Sequence, residues 1–281
     1  MASRAKVCEK AGRLVESTSM DFQNWPCDNV ASTIISPSGY QSFGDPSRSF
    51  ELASVTKLLS AYGFLIAVEE GIFELDQKIY ENGATVAHLL SHAGGVGFKK
   101  GDPVRDINQR RIYSSYGFEL LADAVSAEAE MTFAEYLTAA VFEPLGMANT
   151  VLWGSPGHEA RSTVADLAKF TQEVLEPTLL SEQTVATACV EHFSGLNGVV
   201  PGYGMQKPCP WGLGFEIHGN KNPHWLGADM PEDVVGHFGQ SGTYIWLHRP
   251  TGRAMVMLTD RPFGEWAKPL WAETNNAIWQ A

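Results

Sequence analysis

The chain has 281 residues, 44% hydrophobic and 19% charged, which is the make-up of a soluble globular protein with length for a sizeable core and not of a disordered chain. Its formal net charge of -12 argues against nucleic acid and against anionic membrane surfaces, both of which draw basic proteins. No run approaches the roughly eighteen apolar residues of a membrane span, and the first stretch lacks the apolar centre of a signal peptide, so a cytoplasmic location is expected.

In chain order, a first helix is expected before "VASTIISPSGYQSFG", which reads as two short strands joined at Pro37, Ser38 and Gly39. "FELASVTKLLSAYGFLIAVEEG" follows. From Leu58 to Val68 it is apolar apart from Ser60 and Tyr62, the pattern of a helix buried nearly all round, with Ser54 as a cap or first-turn residue and Gly71 as a stop. "ATVAHLLSHAGGVGF" is a short helix ending at Gly94 and Gly95. From about 113 to 190 the pattern is mainly helical. One helix starts behind a serine cap in "YSSYGFELLADAVSAEAEM", and another carries Thr163 and Asp166 at capping-box spacing.

Between Ser194 and Gly236 the chain is rich in Gly, Pro, Asn and Trp, which predicts long loops around a short strand near "WGLGFEIHG" and natural walls for a pocket. "GTYIWLHRPTGRAMVMLTD" alternates as two antiparallel strands turning at Pro250, Thr251 and Gly252, and a Trp-rich helix closes the chain. Strands at both ends with helices between them predict an α+β protein: an antiparallel sheet from residues 1–70 and 195–281, a mainly helical lobe from 71–194, and an active site in the cleft between.

Lys57 raises a chemical question, since it leads the buried helix three residues after Ser54, on the same face. A cation there is opposed by the helix dipole and by its apolar neighbours. Two more groups recur in order: Tyr113-Ser114-Ser115, and His237-Phe238-Gly239 at the start of "HFGQSGTYIW".

The set Ser54-Val55-Thr56-Lys57, Tyr113-Ser114-Ser115 and His237-Phe238-Gly239 resembles the serine β-lactamase and penicillin-binding protein superfamily, in particular its class C β-lactamase-like esterase branch. "LLSHAGG", "VFEPLGMANT", "STVADLAKF" and "GHFGQSGT" extend the resemblance in the family's order over most of residues 30–260. It implies a β-lactamase/transpeptidase-like fold, an acyl-enzyme on Ser54, no metal and no cofactor. The expected substrates are small carboxylic esters, with amide hydrolysis (β-lactamase, D-amino-acid peptidase or D-Ala carboxypeptidase) as the alternative. From another class, a non-catalytic acyl-binding or scaffold protein would keep the same fold.

The chemistry explains the grouping. A serine hydroxyl needs a base, and an ordinary lysine is about 3 pKa units too basic to serve at neutral pH, a gap of about 4 kcal/mol that burial and the dipole help to close. The resemblance places Tyr113 beside both groups, able to share a proton with Lys57. The N–H of Ser54 at its helix start lacks an intrahelical acceptor and can face a substrate carbonyl; by resemblance the second oxyanion donor is the N–H of Gln240. The resemblance also puts Ser115, His237 and Gly239 at the substrate. Ser115 stands where the family usually has Asn, which removes an amide contact. His237 replaces a lysine, is expected to be neutral beside Lys57 and able to donate a hydrogen bond, and favours neutral esters over carboxylate-bearing β-lactams.

Other signals carry less. His88 and His92 lie four apart on one expected helix, but Leu89 replaces the glutamate of a zinc-protease motif, so capping or packing is the expectation. Ser241 in "GQSGT" leads into a strand where a nucleophile elbow needs a helix. The cysteines Cys8, Cys27, Cys189 and Cys209 lack the paired spacing of a zinc site and are expected as free thiols. Most of the tryptophans are expected in the core or in cleft walls.

Overall fold

A computed structural model describes residues 22–281; the expected first helix and Cys8 lie outside the described residues. β1 (Val30–Ser36) and β2 (Gly39–Phe43) form the hairpin, with Ser36 opposite Gly39. β3 (Phe50–Glu51) leads through a 3-10 turn into α1 (Thr56–Glu69). The middle of the chain supplies α2 (Val86–Leu90), α3 (Tyr116–Ala129), α4 (Phe133–Leu137), β4 (Val151–Leu152), β5 (Ala160–Ser162), α5 (Val164–Leu175) and α6 (Glu182–Ala188). The last third supplies β6 (Gly198–Val200), β7 (Gly204–Gln206), β8 (Glu216–Ile217), β9 (Val235–Gly239), β10 (Thr243–His248), β11 (Arg253–Thr259) and α7 (Ala267–Gln280).

The N-terminal hairpin and the C-terminal strands close into one antiparallel sheet of six strands, ordered β2-β1-β11-β10-β9-β8. The polar alternation expected in β10 and β11 is absent: β10 is buried at every position and β11 at all but Arg253. Both faces are covered. Ile245, Leu247, Ala254, Val256 and Leu258 join the large core that contains α1 and α5, while Tyr244, Trp246, Met255 and Met257 pack with Trp271 and Ile278 of α7. Trp225, Trp246 and Trp271 are fully buried, so most of the aromatic signal there is core.

α1 is buried without interruption from Thr56 to Ala67, and the chain leaves it at Gly71, whose φ of 75° suits a residue without Cβ. The capping details differ from expectation. At α3 it is Ser114, not the N-cap Ser115, whose hydroxyl accepts from a first-turn N–H, that of Gly117 at 2.8 Å. Thr163 caps α5 by accepting from the Asp166 N–H, but Asp166 returns nothing. Its carboxylate instead accepts from the Asn149 N–H at 2.7 Å and the Thr150 hydroxyl at 3.0 Å, tying α5 to the preceding loop. His88 completes a capping box with Thr85 at the start of α2, whereas His92 lies beyond that helix with φ 58°, so the two histidines do not share one helical face. No helix among the described residues is long and apolar enough to cross a membrane.

Candidate active site

Ser54 sits in the 3-10 turn Ala53–Val55 that precedes α1, one step earlier than an N-cap, and its side chain caps nothing. The turn is held under strain: Ala53 has φ 44°, a left-handed conformation that costs a non-glycine residue about 1 kcal/mol or more. Gly239, at the end of β9, makes this turn fit. A Cβ there would lie 2.2 Å from the Leu52 carbonyl oxygen and 3.2 Å from Ala53 Cβ. Gly239 is therefore a spacer between strand and turn and does not line the cavity, a correction to its expected place at the substrate.

Ser54 opens onto a cavity of about 200 Å³ walled by Phe98, Tyr113, Val200, Pro201, Trp211, Glu216, His237, Phe238 and Gln240. Among the described residues, no backbone carbonyl accepts the N–H of Ser54 or of Gln240. Both residues line that cavity, and their N–H groups are without a backbone acceptor.

Lys57 is fully buried on the next turn. Its Nζ donates to Ser115 Oγ at 3.0 Å and to the Gly157 carbonyl at 2.8 Å, and it lies 4.5 Å from the centre of the Tyr113 ring. Burial lowers its pKa from 10.5 to about 7, with Glu119 opposing the shift. A neutral amine has two N–H bonds and one lone pair. Both N–H bonds have acceptors here, which leaves the lone pair as the unused feature of the nitrogen.

Ser115 was expected at the substrate. It is instead buried behind Lys57, accepts that amine's hydrogen bond and is absent from the cavity wall. The shorter side chain has a packing reason: a Cβ on Gly157 would come within 2.7 Å of Ser115 Cβ, so the loop carrying the second acceptor for Lys57 lies directly against it.

Tyr113 reaches the cavity between Ser54 and His237. Burial raises its pKa well above the ordinary phenol value, the Ser54 hydroxyl beside it acting the other way, so Tyr113 carries its proton at neutral pH. His237 is held neutral, at about 4, first by burial and then by Lys57. Its Nδ1 lies 2.7 Å from the Phe238 carbonyl oxygen, which can only accept, so Nδ1 bears the proton and Nε2 is a lone pair. Tyr113 accordingly donates to that Nε2, at 3.4 Å. The neutral state matches expectation, but the polarity is reversed: His237 accepts on the cavity side and offers no donor to a substrate.

Glu216 forms part of the wall, and the sequence did not mark it. Burial would raise its pKa, yet His224 and Lys221 outweigh that and hold it well below the usual carboxylate range. His224 Nε2 is 2.9 Å and Lys221 Nζ 3.5 Å from Oε1, and Trp225 Nε1 donates to Oε2 at 2.8 Å. The loops expected to form the walls do so, but Phe98, Val200, Pro201 and Trp211 had no individual signal. Ser241 bonds Thr243 Oγ1 at 3.2 Å and stays off the wall. Among the described residues no group of histidine, cysteine or carboxylate side chains is arranged to hold a metal.

A strained serine turn, a buried low-pKa lysine and a tyrosine, set between an antiparallel sheet and helices, define the β-lactamase/transpeptidase-like class. Residues 45–275 match the family model described as Beta-lactamase, and the chain belongs to the beta-lactamase family. A solved beta-lactamase from Mycobacterium bovis is 45% identical, with a TM-score of 0.89 over 92% of this chain and 96% of that one. The octameric penicillin-binding protein homologue from Pyrococcus abyssi shares the fold at a TM-score of 0.71 and 18% identity, over 92% of this chain and 74% of its own. A penicillin-binding protein of Bacillus subtilis is 25% identical over 188 residues, 53% of this chain and 40% of that protein. The chain therefore spans less than half the length of this curated relative.

Proposed function

We propose that the protein is a serine hydrolase that forms an acyl-enzyme on Ser54, with small neutral carboxylic esters as its substrates. The observation that carries the reading is Lys57: a fully buried amine with a pKa near 7 whose two N–H bonds are both engaged, so that its lone pair is the available base, 4.5 Å from the centre of the Tyr113 ring whose hydroxyl Ser54 contacts.

Ser54 Oγ attacks the ester carbonyl carbon, and its proton passes to Lys57 Nζ, directly or through the Tyr113 hydroxyl. The free N–H groups of Ser54 and Gln240 stabilise the oxyanion, each worth about a hundredfold to a thousandfold in rate. The C–O bond to the alcohol breaks, the departing alkoxide takes the proton from Lys57, and water then hydrolyses the acyl-enzyme, releasing the acid and restoring Ser54.

The cavity wall favours esters. It contains no lysine or arginine, its histidine is neutral, and Glu216 is ionised. A β-lactam or a peptide C-terminus brings a carboxylate beside the scissile bond, which would meet Glu216 without a balancing cation on the wall. The likeness to the Mycobacterium bovis beta-lactamase supports a second reading, hydrolysis of β-lactams.

The test is a time course with p-nitrophenyl acetate and butyrate and with nitrocefin, with intact-mass spectrometry on the same samples, for wild type and Ser54→Ala. Ester turnover is expected, falling below about a thousandth in Ser54→Ala. Nitrocefin turnover exceeding ester turnover in kcat/KM would replace the esterase reading with the second one, and a persistent one-to-one adduct without turnover would overturn both.

A further inference from the structure

A second cavity of about 240 Å³ lies beside the first, sharing Phe98, Tyr113 and Pro201 with it as walls. Its other walls are Ile112 and Gly198, the side chains of Val199 and Met205, and the arginine pair Arg110 and Arg111. The two arginines differ. Arg111 is buried and donates to the carbonyls of Ser91, Cys209, His192 and Phe193, joining three loops. Arg110 is exposed and makes no hydrogen bond or ion pair among the described residues.

The groove is built and held in place. Val199 and Met205 face each other across the β6–β7 hairpin, and both are about half exposed, at 51% and 47%; Phe98 opposite is 52% exposed. The hairpin is fixed to the Arg110–Tyr113 segment by the Arg111 N–H on the Asn197 carbonyl at 2.8 Å and by a bridge between Arg111 and Gly198. A Cβ on Gly198 would lie 2.6 Å from Arg111 Cβ, so this approach needs glycine. Three large apolar side chains left about half exposed around a cavity that shares three walls with the one at Ser54, together with an unpaired guanidinium on its wall, describe an amphiphilic ligand: an apolar chain with an anionic end.

We infer that this groove receives the acyl chain of the substrate and that Arg110 binds a carboxylate at its far end, so that the preferred substrates are esters of ω-carboxy fatty acids of medium length. The inference rests on the proposed acyl-enzyme at Ser54. It assigns the acyl arm to the groove because that arm stays attached to Ser54 until deacylation, whereas the alcohol must leave. It also fits the cavity chemistry: a carboxylate next to the ester would meet Glu216, whereas one at the far end meets Arg110.

The experiment follows covalent labelling of Ser54 by intact-mass spectrometry with ethyl, octyl and ω-carboxyoctyl fluorophosphonates. In each case the Ser54 oxygen–phosphorus bond forms, fluoride leaves and the serine proton goes to Lys57, so no turnover is needed. Octyl is expected to label about tenfold or more faster than ethyl, from the apolar surface it covers. The ω-carboxyoctyl probe should gain about threefold over octyl, the scale of a partly exposed ion pair. Val199→Trp, which fills the groove, should collapse the octyl-to-ethyl ratio, while Met131→Trp, an exposed site away from the groove, should leave it unchanged. Arg110→Glu should place ω-carboxyoctyl below octyl. Equal rates for all three probes in wild type would overturn the groove assignment while leaving Ser54 chemistry intact. A carboxylate effect that survives Arg110→Glu would overturn the role of Arg110. Labelling absent for every probe would sink the acyl-enzyme reading and this inference with it.

Discussion

Replacing Lys57 by methionine should remove the activity, and the change with pH in the variant's stability relative to wild type tests the burial argument. Lys57 has an ordinary pKa of 10.5, lowered to about 7 by the folded environment. Between those values the unfolded chain holds a proton that the native chain does not, so native stability rises with pH across this window. The burden of burying the amine is about 4 kcal/mol at about pH 7 and falls to about 1 kcal/mol at about pH 10. Methionine fills similar space without the charge but leaves Ser115 Oγ and the Gly157 carbonyl without their donor, a loss of about 1–3 kcal/mol each. That loss does not depend on pH, whereas the lysine term does. Urea denaturation of wild type and Lys57→Met at about pH 7 and about pH 10 should thus show the variant's stability relative to wild type falling by about 3 kcal/mol at the higher pH. Ester kcat/KM in wild type should rise with pH through about 7, as the amine loses its proton. Stability curves that stay parallel to within about 0.5 kcal/mol would mean that the lysine titrates as an exposed one does, and the account of Lys57 as the base would fail with them.

Gly157→Ala pushes a Cβ to 2.7 Å from Ser115 Cβ and shifts both acceptors of Lys57, so kcat/KM should drop by about tenfold or more with only a modest fall in melting temperature; an unchanged kcat/KM would mean that this hydrogen-bond pair does not position the amine. His237→Lys puts a cation on a wall that has none and removes the acceptor for Tyr113. The ratio of nitrocefin to p-nitrophenyl butyrate hydrolysis should rise by about tenfold. A constant ratio would remove charge on this wall as a basis for the proposed ester preference.

Much of the sheet and of α1 could be read from the chain because local signals and tertiary packing agree there: the Pro37–Ser38 turn, the apolar run after Lys57 and the stop at Gly71 each have a single local solution. Alternation in β10 and β11 was misleading because it assumes one wet face. Whether a second layer covers that face depends on where α7 packs, through Trp271 and Ile278, and neither strand encodes that. Cap details failed for a related reason. Ser115 and Asp166 have the right chemistry for the ends of α3 and α5, but tertiary partners, Lys57 for one and the Asn149–Thr150 loop for the other, hold their side chains.

The same distinction divides the site. Ser54, Lys57, Tyr113, His237 and Gln240 are set by short motifs on or beside elements packed against α1, and their convergence follows from the fold. The roles of their neighbours depend on distances between segments far apart in sequence. Ser115 supports Lys57 because Gly157, forty-two residues on, leaves room for the approach. The direction of the His237 hydrogen bond turns on the Phe238 carbonyl, which takes the Nδ1 proton and leaves a lone pair toward Tyr113. A histidine at that position could serve as donor or acceptor on sequence grounds alone. As an acceptor it cannot grip a substrate carboxylate, and this, together with Glu216 on the same wall, supports the proposed preference for neutral carbonyl groups at the point of attack.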